Sequence, residues 1–174
     1  MWSRLSSMNA QMQALFERVP LHWKATALLR AFGFLKIPLL FAVGPKVVEL
    51  SDERIVLRIP LNRKTRNHLR SMYFGTLAIG ADCVVGMMAM HHLRKSGGKV
   101  HLSFKDFRAE FLKRPEGHVL FVCEEGRRVA AFVQEILKSG ERGNLPVNGY
   151  AAVESNPAEP VMRFTLTLSL KRKP

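Results

Sequence analysis

The chain has 174 residues, enough for one domain with a real core, and its 47% hydrophobic and 24% charged content is that of a globular protein rather than a disordered one. A formal net charge of +13 points to polyanionic partners, whether nucleic acid, anionic lipid or a phosphorylated small ligand, without choosing among them. The two cysteines, Cys83 and Cys123, lie in apolar segments with no metal-ligand spacing, which argues against a zinc site or a disulfide framework and fits a reducing cytoplasm.

The first twenty residues carry no uninterrupted apolar run followed by a small-residue cleavage site, so secretion is not expected. Residues 9–17 and 21–36 have helix-forming composition, with Leu21, Ala25, Leu28, Leu29 and Phe32 recurring at three- and four-residue steps. They read as an N-terminal helical extension over 1–37, ahead of a main domain over 38–174. The tract from Ala25 to Val43 is the longest greasy tract in the chain, but Arg30, Lys36 and Pro38 break it and argue against a membrane span. Its aromatic and basic interleaving still suits contact with a membrane surface through residues 21–43, so the expected location is cytoplasmic, with the inner membrane face as a second option.

Beyond Pro38, PLLFAVGPKVVELS and RIVLRIP read as two strands joined by a turn at Ser51 and Asp52. A basic loop follows, then a helix from about Met72 to Leu93 ended by the glycines after Ser96. Strand patterns return over 99–115, 117–125, 145–155 and 161–173, the last with Phe164, Leu166, Leu168 and Leu170 on one face. Between them, residues 126–140 place Val129, Phe132, Val133 and Ile136 at helical spacing. One long apolar helix among mostly antiparallel strands is most economically buried by a curved sheet wrapped around it, an α+β architecture.

That helix carries an anomaly. Between Glu53 and Asp106 the only acid is Asp82, and from Ser71 to Met90 no other residue is charged. An unpaired buried carboxylate is costly, which calls for a compensating role. Gly75 lies seven residues earlier, 20° short of two full turns, so the two share a face about 10 Å apart along the axis. A glycine at a helix start exposes free N–H groups able to polarise a carbonyl and hold an oxyanion. The carboxylate, with a pKa raised by desolvation, suits a general base or a nucleophile. Asn67, just upstream, is a candidate for holding water. Structural readings stand beside these: Asp82 paired with Arg66, Arg70 or a strand arginine, Gly75 as a packing glycine, Asn67 as a loop or cap residue.

The joint spacing resembles the hotdog-fold acyl-CoA thioesterases, in particular the branch containing phenylacetyl-CoA thioesterase. Their motif is N-x-x-x-x-x-H-G-G with an acid nine residues after the histidine. Asn67 matches the asparagine, Tyr73 and Phe74 replace the histidine and first glycine, Gly75 matches the second glycine, and Asp82 falls on the acid. FLKRPEGH, residues 111–118, is similar to the family's F-x-x-P-x-x-G strand turn. The resemblance covers roughly residues 39–173.

It implies a hotdog fold and hydrolysis of an acyl-CoA or related acyl thioester, with coenzyme A entering as part of the substrate and no other cofactor. Catalysis falls to Asp82, Asn67 and Gly75, and substrate binding to Tyr73, Phe74, Arg66 and Arg70. It also implies a homodimer, or a dimer of dimers, with Asp82 of one chain facing the helix start of the other. The replaced histidine and glycine motivate an alternative, a non-catalytic acyl-CoA or lipid-binding hotdog protein associated with membranes. No metal site and no specific nucleic-acid motif is expected.

Overall fold

A computed structural model describes residues 19–173. The helix expected at residues 9–17 lies outside them. Helix α1, Leu21–Lys36, ends two residues before Pro38, as the proline favours, but the chain does not then extend. Pro38 sits at the first position of a second short helix, α2, Pro38–Ala42, where its fixed φ is an advantage. The expected first strand is therefore half helix, and only Lys46–Leu50 forms strand β1. Six apolar residues without alternation carry no strand period, and tertiary packing decided the outcome.

The other elements fall close to their expected positions: β2 Ile55–Ile59, α3 Phe74–Ser96, β3 Val100–Phe111, β4 Val119–Cys123, α4 Gly126–Ser139, β5 Gly143–Val153 and β6 Pro160–Arg172. Six strands form one sheet in the order β1-β2-β4-β5-β6-β3, every pairing antiparallel. Helix α3 packs on β2, β4, β5 and β6, and α4 packs beside it on β5 and β6. Val84, Val85 and Met88 of α3 meet Phe121, Met162, Leu168 and Leu170 in the fully buried core. Among the described residues α3 is the one helix long and apolar enough to cross a membrane, and the sheet around it explains that composition.

The packing is close enough to dictate residue size. A Cβ on Gly80 would lie 2.2 Å from the Phe121 ring, so this turn of α3 admits only glycine. Gly97, at φ 67°, caps the C-terminal end of α3 in the left-handed conformation, its N–H bonded to the Arg94 carbonyl.

The two sheet edges are treated differently. On β1 the Val47 N–H donates to the Thr26 hydroxyl of α1 at 2.9 Å, so α1 covers part of that edge. On β3 a bulge between Phe104 and Phe107 is pinned by the Thr167 hydroxyl, which donates to the Asp106 carboxylate at 2.6 Å. Beyond the bulge, Phe107 and Phe111 are exposed.

Candidate active site

Helix α3 begins in a tightly built corner. Buried Thr65 gives its hydroxyl proton to the Pro60 carbonyl at 2.6 Å and accepts the Asn62 N–H at 2.9 Å, while its own carbonyl accepts the Tyr73 N–H at 2.8 Å. From the other side the buried Pro115 accepts the Met72 N–H at 2.9 Å. The turn within residues 111–118, which reads F-x-x-x-P-x-G in this chain, therefore serves as a brace for the helix start. His118, in the same turn, accepts the Leu61 N–H through Nδ1 at 2.9 Å, which fixes that ring in a structural role.

Asn67 shapes the loop between these anchors. Its Oδ1 accepts the N–H groups of Leu69, at 2.9 Å, and Ser71, at 3.2 Å, and its Nδ2 donates to Ser71 Oγ at 3.1 Å. Its own N–H donates to the Ser71 carbonyl at 2.8 Å. The turn so formed holds Arg70 at φ 63°, the only non-glycine in the left-handed region among the described residues.

Tyr73 is the N-cap of α3 and offers no side-chain cap, so the first N–H groups of the helix must look elsewhere. Thr76 and Leu77 donate to the Tyr73 carbonyl, whereas Phe74 and Gly75 find no acceptor among the described residues. Two adjacent donors thus stand free at the positive end of a 23-residue helix, with Gly75 half-buried. The Tyr73 ring leans over them: a Cβ on Gly75 would lie 2.5 Å from Tyr73 Cε1. Its neighbour Phe74 is exposed and in tilted contact with it at 4.8 Å between ring centres.

Along α3 the residues split by face. Leu77, Ala81, Val84, Val85 and Met88 are buried, whereas Gly75, Ile79, Asp82 and Gly86 form a half-open stripe. Asp82 has no hydrogen-bond or ion-pair partner among the described residues, so the arginine pairing open to it in sequence is not made within the protomer. Burial, the cause of its shift, raises its pKa above the ordinary carboxylate value of 3.8. The stripe adjoins β3, since a Cβ on Gly86 would sit 3.8 Å from the Phe104 ring. Asp82 and the free N–H groups therefore share one open face, about two turns apart.

Arg66 and Arg70 are exposed beside this corner, and neither they nor Arg63 and Lys64 have an acidic partner among the described residues. Other cations nearby are paired, Lys113 with Glu159 and Arg114 with Glu116. The histidines at the far end of α3 serve the fold: His91 Nε2 meets Asp52 Oδ1 at 2.7 Å and His92 Nε2 meets the Asp52 carbonyl at 3.1 Å. Cys83 is buried beside Asp82, its thiol pKa pushed up by desolvation, which makes it packing rather than a nucleophile. Among the described residues no group of acids, histidines and cysteines is arranged to hold a metal ion.

A family model described as a domain of unknown function, DUF4442, matches residues 25–170. The chain belongs to that family. No curated protein matches this DUF4442 chain significantly. Solved structures are similar in fold. A Chlorobaculum tepidum protein of unknown function superposes with a TM-score of 0.76 at 12% identity, covering 87% of this chain and 97% of its own. A Shewanella oneidensis protein provisionally named a thioesterase gives 0.72 at 11% identity, covering 86% and 99%. A Pseudomonas aeruginosa protein of unknown function, also with a provisional thioesterase name, gives 0.68 at 20% identity, covering 85% and 96%. These likenesses show the fold alone: the DUF4442 chain has the hotdog architecture, a curved antiparallel sheet packed on a long helix.

Sequence reasoning missed two parts of the corner. Phe74 supplies a second free N–H, which the loss of the motif's first glycine had concealed. Thr65 and Pro115 hold the helix start through backbone carbonyls, which no side-chain motif announces.

Proposed function

We propose that the protein is a thioesterase that hydrolyses an acyl-CoA or a related acyl thioester. The observation that carries this reading is the unpartnered, half-buried Asp82 on the same open face as the unpartnered N–H groups of Phe74 and Gly75. In this scheme the thioester carbonyl oxygen sits at the start of α3, where two fixed donors and the helix dipole stabilise the negative charge that develops on attack. Asp82 takes a proton from water as the water oxygen bonds to the carbonyl carbon. The C–S bond then breaks and the thiolate leaves with that proton, releasing the acid and the free thiol. Direct attack by Asp82 through a mixed anhydride uses the same geometry. Asn67 is a positioning residue in this reading, because its oxygen is already committed to the loop that aims the helix. The unpaired Arg66 and Arg70 suit the phosphates of coenzyme A.

The active unit we infer is a homodimer. The exposed Phe107 and Phe111 on the open edge strand β3, beside the uncovered stripe of α3, are an aggregation hazard unless a second copy covers them. In this reading the two-fold dimer has Asp82 of one chain facing the helix start of the other, which removes the axial separation within one helix.

One observation favours a second reading, binding of an acyl thioester without turnover: the Tyr73 ring, in place of the motif's histidine, crowds the approach to Gly75. Thiol release from short, long and aromatic acyl-CoAs, measured on the wild type and on Asp82→Asn, decides between the two. Turnover lost in a folded Asp82→Asn protein supports hydrolysis. Tight binding of intact acyl-CoA with no turnover by the wild type makes the protein a carrier.

A further inference from the structure

Helix α1 is packed the wrong way round for a soluble amphipathic helix. It buries Ala25, Leu29 and Gly33, two of them among the smallest residues it has, and turns its largest residues outward. Trp23 and Phe34 are each 65% exposed and Leu35 73%, and Leu28, Phe32 and Leu39 are more than half exposed. The arrangement is built rather than loose. The backbones of α1 and α2 approach so closely that a Cβ on Gly33 would lie 3.0 Å from the Phe41 nitrogen. The Ile37 N–H donates to the Gly33 carbonyl at 2.9 Å, and the Phe34 and Phe41 rings meet edge to face across the two helices at 5.4 Å. Leu40 and Val43 hold α2 down, and the Thr26 hydroxyl accepts the Val47 N–H, tying α1 to the sheet edge. A hairpin anchored by small residues displays a contiguous apolar face.

The charge on that face has one sign. No acidic residue lies between Glu17 and Glu49, and the charged residues exposed on the hairpin and its exit are Arg30, Lys36 and Lys46. A face made for another protein is expected to carry both signs at its rim. Aromatic and leucine side chains ringed only by cations complement an apolar layer beneath an anionic surface.

We propose that the α1–α2 hairpin is a docking surface for an anionic lipid bilayer, into which Trp23, Phe34, Leu35 and Leu39 insert while Arg30 and Lys36 meet the headgroup phosphates. Short helices joined at Ile37 suit a lying rather than a spanning contact. This inference is independent of the thioesterase reading, and its test does not use turnover. Flotation of the full-length protein is measured with phosphatidylcholine vesicles and with the same vesicles containing about one-third phosphatidylglycerol. The wild type is expected to float with the anionic vesicles, roughly tenfold more weakly with neutral ones, and less as salt is raised. The double variant Phe34→Glu, Leu35→Glu, at exposed positions, is expected to lose at least roughly tenfold in partitioning with an unchanged circular dichroism melt. If that variant folds poorly, Arg30→Glu with Lys36→Glu makes the same test through charge. A wild type that stays off anionic vesicles at low salt overturns the proposal, as do folded variants that float like wild type. A solution mass that falls in the double variant, while the wild type ignores vesicles, assigns the face to a second copy instead.

Discussion

Asn67 Oδ1 accepts the N–H of Ser71 at 3.2 Å, so the motif's asparagine builds the loop that delivers the chain into α3. Its oxygen serves two backbone donors, and its replacement by alanine leaves both without that acceptor, at about 1–2 kcal/mol. The expected result is that Asn67→Ala lowers stability and activity together. Asn67→Asp keeps the acceptor and is expected to recover stability and much of kcat. A catalytic duty for the amide nitrogen predicts the reverse, a stable but inactive Asn67→Asp, and a thermal melt beside a kcat measurement separates the two.

Asp82 trades stability for function. Its folded pKa is raised by burial, so the folded chain binds that proton more tightly than the unfolded chain does. The cost of the charge is therefore present above the raised pKa and fades as pH falls towards the unfolded value of 3.8. Asp82→Asn is expected to raise Tm by roughly 2–4 °C at neutral pH, about 1 kcal/mol in a domain of this size, with the gain closing near pH 4. The same variant is expected to lose thiol release, and the acid limb of the wild-type kcat/KM profile to lie above the ordinary carboxylate range. Melts of the two proteins between pH 4 and 8 check the sign.

Gly75→Ala separates the pocket from the helix. Alanine is the better helix former by about 1 kcal/mol, and the clash it makes is with the movable Tyr73 ring, 2.5 Å from the new Cβ. Stability is expected to hold or rise. The displaced ring and the added methyl obstruct the free N–H groups, so kcat/KM is expected to fall on the order of 100-fold, the scale of a lost oxyanion donor. Adding Tyr73→Ala is expected to return part of the loss by reopening the space.

Arg70 pays for its place with backbone strain, since a left-handed non-glycine costs on the order of 1–2 kcal/mol. Glycine removes that strain but gives the unfolded chain more freedom, so the net stability of Arg70→Gly is expected to change by less than about 1 kcal/mol. With the exposed cation gone, KM for acyl-CoA is expected to rise several-fold with kcat preserved, and the salt dependence of KM to weaken. A KM that does not move assigns Arg70 to the loop alone.

The legible parts of this fold are those with a period. α4 was marked by Val129, Phe132, Val133 and Ile136, all buried, and β6 by its alternating apolar face. Pro38–Ala42 is helix through its packing on α1, which PLLFA, having no period, does not announce. The long apolar α3 suggests cover on nearly all sides, yet the stripe of Gly75, Ile79, Asp82 and Gly86 is half-open in the protomer. At the site, the spacing of Gly75 and Asp82 was readable because helix geometry is regular. The carbonyls of Thr65 and Pro115 that hold the corner were not, since any residue has one and only the folded chain aims it.

The relation of Gly75 to Asp82 gives the sharpest test of a shared site. Seven residues apart on one helix, they lie about 10 Å apart along the axis, too far for one thioester carbonyl and its attacking water to touch both easily. If each site takes Gly75 from one chain and Asp82 from the partner, two inactive variants can complement. Asp82→Asn and Gly75→Trp, co-expressed with different affinity tags, assemble with about half the dimers mixed under random pairing. A mixed dimer holds one site with both lesions and one with neither. Activity is expected to return to about a quarter of wild type in the unfractionated sample and about a half in the doubly purified one, with each parent inactive. Sites built within one chain give no recovery, because every chain then carries a lesion.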